Sequence, residues 1–597
     1  MSKKIIALLL VLCILLCTVA CSSQNKPQGN NKPPVNSDTS STDTSSTDSS
    51  STDASSEDTS STDSTSSDEV DEEDKKPQNN VSKVTSTYTV SEPDVLNLDV
   101  YNNKVFNDDW DGVNGINQGF IFLPDEYGRN YTDAQIEEEL KRLGDMNINM
   151  VRSYMDAGYA FKERKGKEII YDWDSERMQA FYKWLDAMEE RDIEVAVNMG
   201  WSNGSIAGAT TQDSLGYTIP WYVRGELNIY SDMIDMYTDW VKLFIEEVII
   251  KRGYDIEYFV MFTEPYAENA GGMSRVYEPF IAPGVKKKMD GWDVSVDVIN
   301  ATHKKLKEAG LRDKVKLTGP QYGLSKDFCK GETLEEELNW WIERIGDCID
   351  VYTFHWYIPT WPGAGGGSAS ATVNDDNYDL WVYYFEQFVD IISKTGKPFW
   401  FDEWMYGGNA IENQKTDFYA QQVAQTVIAA MNSGVDSCIY WQLFETVWPT
   451  RLDTGGEFED GIHILGTAPS LYESAIPYKL YYGLSNVIKH AGELGSKVYY
   501  CEGQNGVYLS MVEYEKDGKK YQNVIVVNTS SLEKKISVNF EKSIGKNMYR
   551  YLFDPLKIEP DTSAEMIPVD KGFKNVDKVL QDTIPAGSIA VYSTVKD

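Results

Sequence analysis

Two glutamates stand at the ends of short apolar segments, and their residue type suits acid–base and nucleophilic chemistry. Glu264 follows the segment Tyr258–Phe262, and Glu403 follows Pro398–Asp402. Paired carboxyl groups can break a glycosidic bond, because one protonates the leaving oxygen while the other attacks the anomeric carbon, at a separation of about 5 to 5.5 Å when configuration is retained. A single glutamate in such a place would more simply form a structural ion pair. Two of them favour a catalytic pair.

Other polar residues at the ends of apolar segments fit the same chemistry. Arg152 would hold an attacking carboxylate in its ionised form, and His355, in the run His355-Trp356-Tyr357, can donate hydrogen bonds. His355 is one of only four histidines in the chain. Because no metal-binding triad can be assembled from the sequence, neither a metal nor another cofactor is predicted.

Tryptophans and one asparagine complete the candidate site. Sugars present apolar faces edged by hydroxyl groups, so the sites that bind them need aromatic and amide side chains. Asn198, Trp201, Trp356, Trp404 and Trp441 lie at or just after the ends of apolar segments and are predicted to bind the substrate. Trp441 is expected to lie under the sugar beside the scissile bond. Core packing explains many tryptophans, but this many at segment ends favours a carbohydrate substrate.

Eight short apolar segments alternate with amphipathic ones from about residue 110 onward. The strand candidates are Gly119–Leu123, Ile148–Arg152, Glu194–Met199, Tyr258–Phe262, Val315–Thr318, Val351–Phe354, Pro398–Asp402 and Ser437–Trp441. The helix candidates are Asp133–Met146, Ser175–Arg191, Ile229–Ile250, Val294–Ala309, Leu334–Ile345, Tyr378–Ser393, Thr416–Ser433 and Ile476–His490. This alternation predicts an α/β fold, a closed (β/α)₈ TIM barrel with its chemistry at the carboxyl ends of the strands. The competing fold, an open doubly wound sheet, more often carries a glycine-rich first turn, which the first segment lacks.

After His490 the apolar pattern changes to a period of two, which indicates strands. The strand candidates are Lys497–Glu502, Val507–Val512, Gln522–Asn528, Lys535–Phe540, Met548–Phe553 and Ser588–Ser593. Asp517-Gly518 is a typical hairpin turn. We therefore predict a barrel domain over residues 81–490 and a small C-terminal antiparallel β-sandwich over 491–597. Tyr499, Tyr500 and Tyr508 offer a sugar-stacking surface there, although strand aromatics more often fill a core.

The first 80 residues are predicted to form an export signal followed by a flexible tether. Lys3 and Lys4 precede a short apolar run, and Ala20 stands before Cys21. Residues 1–21 resemble a bacterial lipoprotein signal, which implies lipidation of Cys21; an ordinary secretory signal is the alternative. Residues 22–80 are rich in Ser, Thr and Asp and are predicted to be disordered. The expected location is the extracellular face of the bacterial cell membrane, with membrane contact only through the lipid.

The net charge of the chain limits the classes of molecule that it can bind. With 93 acidic and 56 basic residues the formal net charge is −37. This repels the phosphate backbone of nucleic acids, which are therefore not expected as partners. The oligomeric state cannot be predicted from the sequence.

The set Arg152, Glu264-Pro265, His355-Trp356-Tyr357, Glu403 and Tyr440-Trp441, in this order, resembles the clan A retaining glycoside hydrolases. The plan of a barrel followed by a small sandwich is similar to glycoside hydrolase families 5 and 39, which include cellulases, mannanases and xylosidases. The resemblance implies that Glu264 is the acid/base, that Glu403 is the nucleophile, that Tyr357 hydrogen-bonds Glu403 and that Trp441 lies under the sugar.

One position departs from the family pattern. The superfamily usually has Asn before the acid/base glutamate, where its amide contacts the sugar 2-hydroxyl, and this chain has Thr263. Asn198 is a candidate to replace that contact.

The predicted function is thus an exported, lipid-anchored retaining β-glycoside hydrolase that acts on plant-type polysaccharide or oligosaccharide. The alternative is a non-catalytic surface lipoprotein that binds carbohydrate. The eightfold alternation disfavours this alternative, because solute-binding proteins usually have two open-sheet lobes and need no facing carboxylates.

Overall fold

A computed structural model gives the fold of the chain. It describes residues 95–116, 120–122, 131–155, 157–165, 168–199, 230–261, 291–323, 330–358, 377–406, 416–417, 419–443, 446–448, 462–464 and 476–596. The predicted signal, residues 1–21, and the predicted tether, 22–80, lie outside the described residues, as does Cys21. None of the described helices combines the length and the apolar character needed to cross a bilayer.

The described residues form 21 strands and eight α-helices. The strands are β1 Leu96–Trp110, β2 Val113–Ile116, β3 Met150–Tyr154, β4 Phe161–Lys165, β5 Glu168–Tyr171, β6 Glu194–Asn198, β7 Tyr258–Val260, β8 Lys316–Gly323, β9 Val351–Ile358, β10 Phe399–Tyr406, β11 Ser437–Tyr440, β12 Thr446–Trp448, β13 Ile462–Ile464, β14 Ser496–Glu502, β15 Val507–Lys516, β16 Lys519–Asn528, β17 Lys534–Phe540, β18 Lys546–Phe553, β19 Val569–Val576, β20 Val579–Ile584 and β21 Ile589–Ser593. The helices are α1 Asp133–Asp145, α2 Glu176–Glu189, α3 Tyr230–Phe244, α4 Gly291–Glu308, α5 Leu334–Ile345, α6 Tyr378–Ile392, α7 Tyr419–Ser433 and α8 Lys479–His490.

The predicted barrel is confirmed. Eight parallel strands close in the order β10-β11-β2-β3-β6-β7-β8-β9. All eight helices overlap their predicted ranges, and α5 has the predicted bounds. Parallel strands joined by helices put the carboxyl ends of all eight strands at one end of the barrel, which we call the C-terminal rim.

The first barrel strand differs from the prediction. The apolar segment Gly119–Leu123 contains a short 3-10 turn at Phe120–Phe122, and the strand is the earlier Val113–Ile116. Its polar residue Asn114 is fully buried, donates to Ser437 Oγ at 3.3 Å and accepts from the backbone N–H of Met150 at 2.9 Å. Strands were predicted from runs of apolar residues, and this buried asparagine interrupts such a run. Its hydrogen bonds allow a polar side chain to be buried there.

Local capping explains where several helices begin. Thr132 caps α1, where its side chain accepts from the backbone N–H of Gln135 and the Gln135 side chain accepts from the backbone N–H of Thr132, a complete capping box. In α5, Thr333 is the N-cap and three glutamates occupy the first turn. Their negative charges interact favourably with the positive amino end of the helix dipole.

The C-terminal strands form one continuous nine-stranded sheet in the order β19-β18-β21-β16-β15-β14-β1-β17-β20. It is mixed, because β1 runs parallel to β17 and antiparallel to β14. The predicted antiparallel β-sandwich is therefore not confirmed, and Leu96–Trp110, which the sequence assigned to the barrel domain, belongs to this sheet. The hairpin at Asp517-Gly518 is confirmed between β15 and β16, and both of its residues have positive φ.

The barrel and the sheet share a packed boundary. Every residue of α7 is buried, because this helix touches both the barrel strand β10 and the sheet strands β14, β15 and β16. The sheet also has an apolar core of its own, which includes Leu98, Val526 and Val538. The sheet is therefore an integral part of the described fold and packs directly on the outer helices of the barrel.

Candidate active site

Arg152 is the centre of a buried polar cluster at the C-terminal rim. It lies in β3 with no exposed surface. Its Nη1 donates to the backbone oxygen of Asp402 at 3.0 Å and to Asp402 Oδ2 at 3.2 Å, and its Nη2 donates to Tyr154 Oη at 3.1 Å and to Glu403 Oε2. A guanidinium buried to this degree needs such partners, because an unpaired buried charge costs several kcal/mol.

Asp402 and Glu403 both reach Arg152 although they are neighbours in the sequence. Adjacent residues of a regular strand point to opposite faces. The register between β10 and β9 shifts between Phe401 and Glu403, which marks a bulge that turns both carboxyl groups inward. Glu403 is 4% exposed. The ion pair with Arg152 holds the Glu403 side chain inside the cluster.

His355 is a neutral member of the cluster. Burial lowers its pKa to about 3; Glu403 opposes this lowering, and Arg152 adds a smaller lowering of its own. Its Nε2 lies 2.9 Å from Gln321 Oε1 and 3.2 Å from Arg152 Nη1, and its Nδ1 lies 3.6 Å from Glu403 Oε2. An uncharged imidazole in this place does not titrate near neutral pH.

The carboxyl group of Asp402 shares Arg152 with Glu403. Burial raises its pKa well above the ordinary value, the charge of Glu403 adds to the rise, and Arg152 opposes it. One guanidinium cannot fully balance two buried carboxylates, and burial therefore favours the protonated form of Asp402 beside the Arg152–Glu403 ion pair.

Trp441 and Tyr154 form the aromatic side of the cluster. Their rings pack edge to face, with centroids 6.2 Å apart and planes at 87°. The Tyr154 ring also lies under the Arg152 guanidinium, with Cζ 5.7 Å from its centroid. Trp441 directly follows β11 and is 4% exposed. Asn198, the buried last residue of β6, is in register with Tyr154, which places it at the same rim.

Trp356 and Trp404, which the sequence placed in the substrate site, are core residues. Trp356 is 1% exposed and packs against Trp381 and Tyr384 of α6, with centroids 4.8 and 5.3 Å away. Trp404 has no exposed surface and stacks on Phe401 at 5.7 Å. Each tryptophan directly follows an inward residue, His355 or Glu403, so alternation turns it toward the helices. The structure contradicts both substrate-binding predictions.

Three predicted site residues lie outside the described residues: Trp201, Thr263 and Glu264. For Tyr357 only the backbone position in β9 is described. The strand that leads to Glu264 is present as β7, and its last residue, Val260, is in register with Asn198. The role of Glu264 as acid/base therefore stays a prediction. Across the described part of the chain, no group of three or more His, Cys, Asp or Glu side chains is placed to hold a metal ion.

Three members of the cluster are not predicted from the sequence: Tyr154, Gln321 and Asp402. Tyr154 lies two residues after Arg152, so the period of two along a strand was a usable signal. Gln321 and Asp402 gave no such signal, because both lie where the strand register shifts, and Gln321 has a positive φ of 58°.

Comparison with known proteins locates this geometry among solved folds. No protein-family model matches the sequence, and no curated protein sequence matches it. The structure is similar to the catalytic domain of a family 30 xylanase from Talaromyces cellulolyticus, with a TM-score of 0.52, 12% identity and coverage of 84% of this chain and 100% of that one. The family 39 enzyme from Xanthomonas axonopodis pv. citri gives a TM-score of 0.52, 12% identity and coverage of 84% and 98%.

A family 30 endoxylanase from Clostridium papyrosolvens gives a TM-score of 0.50, 13% identity and coverage of 83% and 99%. At these identities the likeness is one of fold. It confirms the predicted resemblance to clan A glycoside hydrolases at that level, including family 39, and it extends over most of the chain.

Proposed function

We propose that the protein is a retaining β-glycoside hydrolase. The observation that carries the proposal is Glu403, a carboxylate inside the C-terminal rim, ion-paired to the fully buried Arg152 and flanked by the neutral His355. The rim is where barrels of this kind carry their chemistry. A carboxylate that pairs with a guanidinium in the same cluster as an aromatic ring, here Trp441, is suited to attack an anomeric carbon.

The proposed mechanism is double displacement. Glu264, protonated, gives its proton to the leaving oxygen while Glu403 attacks the anomeric carbon, so that the bond to the leaving oxygen breaks as a glycosyl ester forms. Glu264, now a carboxylate, then takes a proton from water, which attacks the same carbon and releases Glu403. Arg152 balances the charge that returns to Glu403 when the ester is cleaved.

The proposed substrate class is a plant-type β-linked polysaccharide or oligosaccharide. Two of the structurally similar proteins are named as xylanases, which makes xylan the first substrate to assay. Aryl β-xylosides, β-glucosides and β-mannosides, followed by xylan and mixed-linkage β-glucan, form the panel. Chromatography of the polysaccharide products distinguishes internal from terminal cleavage.

Substitution of Glu403 tests the proposal most simply. Glu403→Gln keeps the shape of the side chain and removes the attacking charge, so turnover of the best aryl β-glycoside should fall below detection while the melting curve is retained. Glu513→Gln, on the sheet and paired with Lys520 at 2.6 Å, is the matched control and should leave turnover unchanged. Near-normal turnover by Glu403→Gln contradicts the nucleophile assignment. A wild-type protein that binds the polysaccharides and cleaves none of the panel is instead a carbohydrate-binding lipoprotein.

Glu264 needs a separate test. With Glu264→Ala and an activated substrate, added azide should restore turnover and yield a β-glycosyl azide, because a small anion replaces water once no base is needed. If azide gives no such product while the substrate is still cleaved slowly, Glu264 is not the acid/base.

The proposal includes export and a lipid anchor on Cys21 at the outer face of the cell membrane. The support is the basic start, the apolar run and the Ala20-Cys21 junction in the sequence. Metabolic labelling with a radioactive fatty acid should mark the wild-type chain and leave Cys21→Ser unlabelled. Release of an unlabelled wild-type chain into the medium indicates an ordinary secretory signal.

A further inference from the structure

Three aromatic side chains form an exposed cluster on the nine-stranded sheet. Tyr101 and Phe106 of β1 and Tyr500 of β14 are 36%, 42% and 42% exposed. The Tyr500 ring centroid lies 5.7 Å from that of Tyr101 and 6.0 Å from that of Phe106. We call these three residues the aromatic patch. Contiguous exposed apolar rings are unusual on a soluble surface and commonly mark a binding site.

The aromatic patch lines a shallow depression with a polar edge. The depression has a volume of about 430 Å³. Its other lining residues are Asn103, Lys104 and Glu541. Apolar rings bordered by hydrogen-bonding groups complement a sugar ring, which has an apolar face and a rim of hydroxyl groups.

Hydrogen bonds hold this surface in place. Tyr101 Oη donates to Glu502 Oε2 at 3.1 Å. The Asn102 amide donates to the backbone oxygen of Lys542 at 3.0 Å and accepts from its backbone N–H at 2.7 Å, which fixes β1 to the segment that carries Glu541. A surface that is already ordered loses little conformational entropy when a ligand binds.

The other tyrosines of this region have structural roles. Tyr499 is 8% exposed and lies in the core of the sheet. Tyr508 stacks on Tyr378 of α6, with centroids 3.9 Å apart and planes at 13°. Of the three tyrosines singled out in the sequence, Tyr500 is thus the one whose ring faces solvent, and it does so beside two further exposed rings.

We propose that the aromatic patch binds a single neutral glycan chain as a second site, separate from the candidate active site. This proposal rests on the proposed function, from which the class of ligand follows. The chain runs from Phe106 through Trp110 to the amino end of β2. That is the end of the barrel opposite the rim that carries Glu403, so the patch is not an extension of the catalytic cleft.

The surroundings of the patch select the ligand. Glu502 and Glu541 outnumber Lys104 there, and the whole chain carries a charge of −37, so a glycan rich in uronic acids is repelled. The Tyr500 ring is tilted by 37° from Tyr101 and by 51° from Phe106. Rings that are not coplanar cannot all contact the flat face of a crystalline polysaccharide, whereas a twisted single chain can follow them.

Affinity gel electrophoresis of the full chain tests the proposal, with soluble xylan, mixed-linkage β-glucan or polygalacturonate in the gel. The Glu403→Gln background prevents digestion of the polysaccharide. We expect retardation by at least one neutral glycan and none by polygalacturonate. Tyr500→Ala and Tyr101→Ala should each weaken the binding about tenfold or more, as for aromatic residues at the centre of an interface. Tyr500→Phe should retain it, because stacking needs only the ring.

Tyr383→Ala is the matched control, since Tyr383 on α6 is 58% exposed and lies outside the patch. Unchanged retardation of Tyr500→Ala and Tyr101→Ala overturns the proposal, as does tighter binding to polygalacturonate or to crystalline cellulose than to the soluble neutral glycans. Hydrolysis of a small aryl glycoside by Tyr500→Ala, with Glu403 intact, should equal that of the wild type. If the wild type hydrolyses the aryl glycoside but is not retarded by any neutral glycan, only the proposed glycan site on the aromatic patch is refuted. If retardation depends on the patch but the wild type hydrolyses nothing, only the proposed hydrolase activity is refuted.

Discussion

Acidic side chains are buried at the C-terminal rim of the barrel and partly buried at its opposite end, and their charge is balanced in different ways. At the C-terminal rim, Glu403 and Asp402 share the guanidinium of Arg152. At the opposite end, Glu194 begins β6, and Asp111 and Asp436 precede β2 and β11.

Burial, with a smaller rise from neighbouring acids, raises the pKa of Asp111 to about 7, of Glu194 to about 8 and of Asp436 to about 6. These acids are partly protonated near neutral pH. A perturbed carboxyl group is therefore common to both ends. What distinguishes the rim is a fully buried guanidinium that pairs directly with two acids, together with a neutral histidine and an aromatic ring. The comparison teaches that the partner, and not the pKa shift alone, marks the candidate site.

The largest effect is expected when the charged partner is removed from the rim. Arg152→Met leaves two buried carboxyl groups without their cation, so kcat/KM should fall about 10²- to 10³-fold. The free energy of unfolding should fall by roughly 3–5 kcal/mol, as for other broken buried pairs. Steady-state kinetics and urea denaturation measure the two quantities.

Arg550→Met is the matched control, since Arg550 in the sheet also holds two carboxylates, Asp570 and Asp582. It should lose stability while the folded fraction keeps its kcat. Equal kcat losses in both variants would place Arg152 among purely structural arginines.

A pair of tryptophans sharpens the distinction between the rim and the core. Trp441→Ala should lower kcat/KM about tenfold to a hundredfold with a moderate loss of stability, because Trp441 lies in the rim cluster. Trp404→Ala should destabilise the fold by roughly 3–5 kcal/mol, as for other buried aromatic residues. Its folded fraction should keep near-normal kcat/KM. The reverse pattern would return Trp404 to the substrate site.

The two adjacent acids of β10 provide a finer test. Asp402→Asn replaces a carboxyl group whose pKa is raised by burial with a neutral group of the same shape, so activity should stay within about tenfold of the wild type. Kinetics across pH 5 to 8 check this. A loss as deep as that of Glu403→Gln would mean that Asp402 acts as an ionised group in the reaction.

The smallest effect concerns the opposite end of the barrel. The folded chain holds a proton on Glu194 at pH values where the unfolded chain has released it, so its contribution to stability is lost as pH rises from about 5 to 8. Glu194→Gln should raise Tm at pH 8 by on the order of 1–2 °C and flatten the decline. Glu168→Gln, at an exposed position, should change neither quantity. An unchanged slope for Glu194→Gln would show that this group is not the source of the pH dependence.

Much of the barrel was predictable because its helices need an apolar face and its strands run into the core. The first strand was not predictable, since Asn114 is satisfied by partners that only the closed barrel supplies. The strand β1 was missed because it carries many polar residues on its exposed face, and β19 and β20 for the same reason. The strand β17, which pairs with β1, follows more than 400 residues later in the sequence, and no local pattern shows such a pairing.

The candidate site was predictable where strand ends and residue types coincide, as for Arg152, His355 and Glu403. The errors at Trp356 and Trp404 were avoidable, because each follows an inward residue by one position. Asp402 was not predictable, since its orientation depends on a bulge whose position no residue type reveals.

The most direct test of the central claim is to trap the glycosyl ester. The wild-type protein is incubated with a 2-deoxy-2-fluoro glycoside that carries a good leaving group and is then digested and analysed by peptide mass spectrometry. We expect a single added glycosyl group on Glu403, and none when Glu403→Gln is treated in the same way. A stable label on any other residue, or turnover of ordinary substrate with inversion of configuration, would contradict the central claim.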